Sequence, residues 1–578
     1  MTRDDNFRVR PGRIRSSRAQ RAKPFVAQAL AAAQKAGGRI SRAGKITSGS
    51  GSRFGRGRTA SVRANRLITS RSRGAVVKAR VVWHTARSTP LAAHLVYLRR
   101  EGVTRDGEKA RMFGPDTDEA DVKDFGESCQ DDRHHFRFIV SPDDAVEMSD
   151  LRSFTRDLMA QVEEDLGTKL DWVAVDHWNT EHPHVHVILR GRADDGRDLV
   201  IARDYIKEGM RSRAQDLVTQ DLGPRTDHDI RHALERQIEA ERWTQVDRQL
   251  KHDADRSGLV DLAPAPDRKP DAYLALKVGR LRKLESFGLA EAVSPGRWII
   301  VEEAEATLRE LGERGDIIKR MHHALTERGI ERGLTDYVLS GEIHREPIIG
   351  RLVDRGLDDE LRGTAFAVVD GIDGRTHHIR FSDLDAAGDS APGSVVELRR
   401  YEDTEGRTRT ALAVRSDLSI EAQVTATGAT WLDRRLVTRD PAHLGGGFGL
   451  EVQQAMAART DHLVSEGFAR REGQRIVFAR NLLTTLRERE LNALGQRLAG
   501  EMGAPFQKVA ADEYVAGTYR QRFALASGRF ALIGGGLGFQ LVPWTPSIEK
   551  YIGQEISGVA RADGGIDWSF GRKRGLGL

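Results

Sequence analysis

The sequence predicts an α+β chain: a mostly antiparallel sheet domain with helices, followed by helix–hairpin segments and a small β-barrel-like module. Three observations carry this. Residues 75–222 alternate β-branched runs with amphipathic stretches in the order β-α-β-α-β-β-α. Two later segments, 283–311 and 462–489, look alike, each a helix, a glycine, a short polar hairpin, a strand and another helix. Between them, Ile348–Val414 is a run of short strands with hairpin signals such as Asp373–Gly374.

At 578 residues the chain exceeds one ordinary domain. The expected divisions are a basic flexible arm over 1–74, the sheet domain over 75–223 and a helical domain over 224–345. The β-barrel-like module then covers 346–416, and a second helical and C-terminal domain covers 417–578. Residues 1–80 hold 21 Lys and Arg against Asp4 and Asp5, about +19, and the remainder carries 70 basic against 83 acidic residues, about −13. A local block of arginine on an otherwise acidic chain is the pattern of phosphate neutralisation. The single cysteine, Cys129, excludes an internal disulfide framework and fits a reducing cytoplasm. No apolar run suits a membrane span, and the basic start lacks the apolar core of a secretory signal.

Within the arm, Pro24–Lys35 reads as a helix and 37–74 as a Gly/Ser-rich linker. Order is expected from Ala75, where AVVKARVVW reads as a strand. Ser88–Thr89–Pro90 looks like a helix start, and LAAHLVYLRREG the helix that follows. HHFRFIVS (134–141) reads as the second strand, and Asp150 as the cap of LRSFTRDLMAQVEEDLG. LDWVAVDH (170–177) and HVHVIL (184–189) are two further strands, and 202–222 a helix with Tyr205, Arg211 and Arg213. The look-alike segments resemble the second half of a winged helix.

The densest chemistry lies in DHWNTEHPHVHVILRG, residues 176–191. In a strand of period two, His182, His184 and His186 share one face while Pro183, Val185 and Val187 take the other. His177 ends the preceding strand, so a tight turn can bring it beside them. Four of the chain's 18 histidines fall within ten positions, which argues against chance. With the only cysteine far away, a structural zinc site is disfavoured, and converging neutral imidazoles with open positions point to a catalytic metal site.

This arrangement, a His-x-His strand preceded by a third histidine, resembles the HUH endonuclease signature. More narrowly, H-x4-HPHxH is similar to relaxases of the Ti-plasmid virulence type and their mobilisation relatives. The arm, the helix AAHLVYLRREGVTRDG and the ending SFGRKRGLGL resemble bacterial relaxases with a C-terminal domain of unknown function. The resemblance spans nearly the whole chain, with chemistry specific only in 88–213. It implies a site- and strand-specific DNA transesterase that nicks an origin of transfer and stays on the 5′ end during conjugative mobilisation. It implies His177, His184 and His186 as ligands of a divalent metal ion, Mn²⁺ or Mg²⁺. The turn carries Asn179 and Glu181 where the family often has Asp, so Glu181, Asp176 or His182 would support the imidazoles. Tyr97 matches the family's nucleophile, with His94, three residues earlier on nearly the same helix face, as its rival and Tyr205 as a weaker one. Ser141 matches a residue touching DNA near the nick, and Arg211 and Arg213 would contact phosphates.

The partners implied are single-stranded DNA, accessory relaxosome proteins and a type IV secretion coupling protein. The location implied is the bacterial cytoplasm, with translocation to a recipient cell alongside the DNA. The competing readings are a rolling-circle replication initiator or single-strand transposase of the same class, and a non-enzymatic DNA-binding scaffold. The absence of a G-x4-GK-[ST] phosphate loop argues against an initiator carrying a helicase.

Overall fold

The computed structural model describes residues 71–84, 91–99, 103–105, 109–178, 182–254, 257–264, 274–339, 347–402, 406, 408–438, 444–473, 475–510, 512–561 and 564–569, with strand pairs at 39–40 and 46–47. The expected helix Pro24–Lys35, most of the arm, the Ser88–Pro90 helix start, Glu181 and the tail 570–578 lie outside the described residues. The chain forms two compact units, 1–240 with 244–301, and 241–243 with 302–578. Among the described residues no helix is long and apolar enough to cross a membrane.

The first unit opens with a four-stranded antiparallel sheet. Its strands are β1 (Ala75–Trp83), β2 (His134–Pro142), β3 (Trp172–His177) and β4 (His184–Arg190), in the order β1-β2-β4-β3. Helix α1 (Leu91–Leu98) and a short α2 (Val122–Ser128), capped by Asp121, follow β1; the sequence reading did not anticipate α2. Helix α3 (Leu151–Leu166) starts where the Asp150 side chain accepts from the backbone N–H groups of Arg152 and Ser153. It ends at Gly167, whose φ of 63° suits glycine. A π-helical turn at Tyr205–Gly209 leads into α4 (Met210–Leu222).

Strand alternation divides the core in two. Phe136, Phe138, Val140, Ala174, Val185 and Val187 pack against α3 and α4. Val173, Val175 and Ile188, on the opposite face, pack against Leu95 and Leu98 of α1 and Phe125 of α2. Each face is therefore buried by its own helices.

After the sheet domain the chain repeats one order of elements. The first copy has α5 (Asp227–Ile238), α6 (Gln245–Asp253), β5 (Leu259–Asp261), α7 (Leu274–Ser286), then the hairpin β6 (Ala290–Ser294) and β7 (Arg297–Ile300). Helix α8 (Ala304–Thr326) follows, and then a six-stranded sheet. Its strands are β8 (Tyr337–Val338), β9 (Ile349–Asp359), β10 (Thr364–Gly371), β11 (Thr376–Phe381), β12 (Val395–Glu402) and β13 (Thr408–Ser416).

The second copy has α9 (Ile420–Val424), α10 (Trp431–Thr438), α11 (Phe448–Ser465), the hairpin β14 (Ala469–Glu472) and β15 (Arg475–Phe478), and α12 (Leu482–Met502). Its sheet has β16 (Phe506–Gln507), β17 (Tyr514–Leu525), β18 (Gly528–Gly535), β19 (Gly538–Pro543), β20 (Glu555–Ala560) and β21 (Ile566–Ser569). The two sheet orders are β8-β11-β10-β9-β12-β13 and β16-β19-β18-β17-β20-β21. They are the same topology, down to a short first strand parallel to the fourth. Neither closes, so the β-barrel-like module expected over 346–416 is an open sheet among the described residues. One face is covered by Ile317, Met321 and Leu325 of α8, as Leu494 and Leu498 of α12 cover the second sheet.

The helical parts share a buried lock. Thr244 and Asp247 form a capping box at α6, and Thr430 and Asp433 make the same reciprocal bonds at α10. Arg280 of α7 grips Asp247 through two bonds of 2.7 and 2.9 Å and donates to the carbonyls of Ile238 and Ala240. Arg459 of α11 grips Asp433 at 2.8 and 2.9 Å and donates to Val424, Ala426 and Gly428. Both arginines are 0% exposed. The lock is written in sequence as T-x-x-D-R-x-L, then R-x3-L-x-S-x-G-x-A, in both copies.

Candidate metal centre

His177 and His184 are direct partners across β3 and β4, and His186 pairs with Val175. Period two then places all three imidazoles on the α1 side of the sheet. Their ring centroids lie 4.5 to 5.5 Å apart, and one nitrogen from each falls within 4.8 Å of the others. His177 and His186 are buried and His184 half-buried.

The backbone sets the rings. His177 Nε2 lies 2.9 Å from the Leu98 carbonyl at the end of α1. A carbonyl only accepts, so His177 carries its proton on Nε2 and keeps a lone pair on Nδ1. His184 Nδ1 lies 2.9 Å from the His182 carbonyl, which leaves the His184 lone pair on Nε2. That nitrogen is 3.1 Å from His186 Nε2. Two imidazole nitrogens so close require a shared proton or cation, and two bonds of about 2.1 Å to one ion near a right angle give such a spacing. The histidine group can hold a metal ion.

The other expected site residues fall into three groups. Tyr97 is half-buried on α1, next in the chain to the Leu98 carbonyl that holds His177. His94 is 6% exposed on the same helix. Ser141 sits at the end of β2 on the histidine face and donates to the Pro183 carbonyl at 3.4 Å, a long bond that ties β2 to the turn before His184.

His182 is exposed and contributes its carbonyl, while its ring stands outside the trio. Asp176, expected beside an imidazole, points to the opposite face. Its carboxylate accepts from Arg152 at 3.0 Å and from the Trp178 indole at 2.7 Å, because neighbours in a strand alternate sides.

Arg211, Arg213 and Tyr205 also stand apart from the trio, since α4 and the turn before it pack on the face away from it. Arg213 forks Asp165 at 3.0 and 2.8 Å, and the Tyr205 hydroxyl donates to the same carboxylate at 2.8 Å. Burial, together with Asp165, drives the Tyr205 phenol well above its ordinary range.

Sequence reasoning missed a second polar group on the histidine face. His84 follows β1, and His135 and Arg137 stand on β2. Arg137 Nε donates to His135 Nε2 at 3.0 Å, so His135 carries its proton on Nδ1, 2.7 Å from His84 Nε2. Burial first, then the Arg137 charge, pushes the His135 imidazole down to about 3. A folded value below the unfolded one, about 6.5, adds stability above pH 6.5 that is lost as pH falls toward 3. His135→Gln retains an acceptor for Arg137 and is expected to flatten the decline in urea midpoint between pH 6.5 and 4. An unchanged slope would contradict the assignment.

In comparisons with known proteins, the model of a family described as a protein of unknown function, DUF3363, matches residues 277–409 and 399–577. These segments cover more than half of the chain and begin after the histidine-bearing sheet. No curated protein and no solved structure matches the chain. The chain belongs to the DUF3363 family of proteins of unknown function.

Proposed function

We propose that this protein is a metal-dependent DNA-nicking transesterase, a relaxase acting on single-stranded DNA at an origin of transfer. The observation that carries the reading is the trio of imidazoles on adjoining strands, oriented by the Leu98 and His182 carbonyls, beside the end of the helix bearing Tyr97. His177, His184 and His186 would hold a divalent cation, which would neutralise non-bridging oxygens of the scissile phosphate. Three imidazole ligands suit Mn²⁺ better than Mg²⁺, which prefers oxygen ligands.

In this reading the Tyr97 oxygen forms a bond to phosphorus and the bond to the 3′ oxygen breaks. The phenol proton passes to solvent, and the 3′ oxygen leaves as a hydroxyl. The tyrosyl phosphodiester conserves the bond energy for rejoining. Half-burial of Tyr97 against near-complete burial of His94 favours the tyrosine as nucleophile.

The helix–hairpin units are read here as winged-helix-like. The exposed Arg470, Arg471 and Arg475 on the second hairpin suit contact with flanking duplex. Relaxosome accessory proteins and a secretion coupling protein are the partners that follow from this reading.

The test is a panel of labelled single-stranded oligonucleotides spanning a cognate origin. A covalent protein–DNA adduct is expected with Mn²⁺ and none with excess EDTA. His186→Ala is expected to weaken Mn²⁺ binding by at least about 100-fold, beyond the effect of losing an outer partner. Adduct formation undiminished by chelation would overturn the metal role.

A further inference from the structure

The geometry points to a phosphate seat apart from the histidine trio, formed by Arg137 and Arg80 on the same face of the sheet and backed by the His84–His135 pair. Arg137 is 6% exposed in the middle of β2, yet among the described residues no carboxylate lies within ion-pair distance of it. The two fully buried arginines, Arg280 and Arg459, are treated differently: each holds an aspartate through two bonds.

A buried cation without a counter-charge is costly. The neighbour across the strands compounds this: Arg80 faces Arg137 in the β1–β2 register. Burial, and then Arg80, pushes the Arg137 guanidinium down to about 10, which still leaves it charged at neutral pH. His135 accepts from Nε as a neutral group and offers no negative charge. The unmet requirement is an anion, reached by the Nη donors of Arg137 and by Arg80 on the exposed edge strand. Guanidinium forks match the paired oxygens of phosphate.

Register also suggests the owner of that phosphate. Ile139 pairs with both Lys78 and His186, and Arg137 pairs with both Arg80 and Ile188. The seat therefore lies one strand over and two residues along from His186, about 8 Å by strand spacing. Exposed Lys78 stands on the same face beside it. A single strand of DNA with one phosphate at the trio would bring a neighbouring phosphate to Arg137. The owner's identity rests on the nicking reading; the anion seat does not.

Two measurements on the full chain test this, using wild type, Arg137→Met and Arg80→Ala. In thermal unfolding, inorganic phosphate is compared with chloride at equal ionic strength. In binding, the salt dependence of a labelled thymidine 12-mer is followed. Phosphate is expected to raise the wild-type unfolding temperature and to lose that effect in both variants. The slope of log affinity against log salt is expected to shrink by about 0.7 for each phosphate that the variant no longer neutralises. In chloride, Arg137→Met should be at least as stable as wild type, because it removes an uncompensated charge; a purely structural arginine would lose stability instead. Should Arg137→Met fail to fold, Arg80→Ala on the exposed strand still decides the question.

No phosphate-specific shift in wild type overturns the seat. A shift without any change in oligonucleotide slope overturns the DNA backbone as owner and leaves free phosphate. If the Arg137 effects appear while no covalent adduct forms, the nicking reading fails and the seat stands. If the adduct forms and Arg137→Met leaves both measurements unchanged, the reverse holds.

Discussion

Tyr97→Phe is expected to abolish the covalent protein–DNA adduct, by at least about 10³-fold, while oligonucleotide affinity stays within about twofold of wild type. The substitution removes one oxygen and keeps the ring that packs beside Leu95 and Leu98 on the α1 side of the core. Because α1 ends at the carbonyl that orients His177, a larger change there would disturb the metal site. The phenylalanine variant avoids this, so a lost adduct with retained affinity isolates the nucleophile. Denaturing gels of labelled oligonucleotide read the adduct, and fluorescence anisotropy reads affinity. Persistence of the adduct in Tyr97→Phe, with its loss in His94→Ala, would transfer the role to the histidine.

The second large effect concerns folding. Asp433→Ala should destabilise the unit containing residues 302–578 by about 3–5 kcal/mol. It strips Arg459, which is fully buried, of its carboxylate and removes half of the capping box with Thr430. The double variant Asp433→Leu with Arg459→Met should recover much of that loss, since it leaves no unpaired charge. Urea denaturation followed by far-UV circular dichroism measures both. Equal stability of Asp433→Ala and wild type would show that the lock contributes nothing. The matching pair Asp247 and Arg280 should behave alike in the first copy, where the same bonds recur.

Legibility in the sequence followed the range of the interaction. The strands at 75–83, 134–142, 172–177 and 184–190 and the cap at Asp150 could be read because alternation and capping are local. The same alternation excludes Asp176 from the histidine face, and applying it to that residue would have prevented the misassignment. The placement of Arg211 and Arg213 was not legible, since nothing local says which face of the sheet their helix covers. The second six-stranded sheet passed unrecognised, although YVAGTYRQRFAL and GRFALIGG carry strand-like residues. Its counterpart over 337–416 shares its topology far more plainly than its residues. The repeat T-x-x-D-R-x-L was present to be read, but only the bonds from Arg280 and Arg459 give it a purpose.

By itself the sequence determined the strand pair that carries the histidines, the common side of their rings, and the helices around them other than α2. Those properties depend on the period of two, on caps and on turns, which act over a few residues. Only the tertiary structure decided that the Leu98 carbonyl pins His177, and that Asp176 and Arg213 are spent on other partners. It alone left Arg137 buried across from Arg80 with no carboxylate within ion-pair distance of Arg137 among the described residues. Such pairings join residues tens of positions apart, and burial, which makes an unmatched charge costly, exists only once the chain has packed.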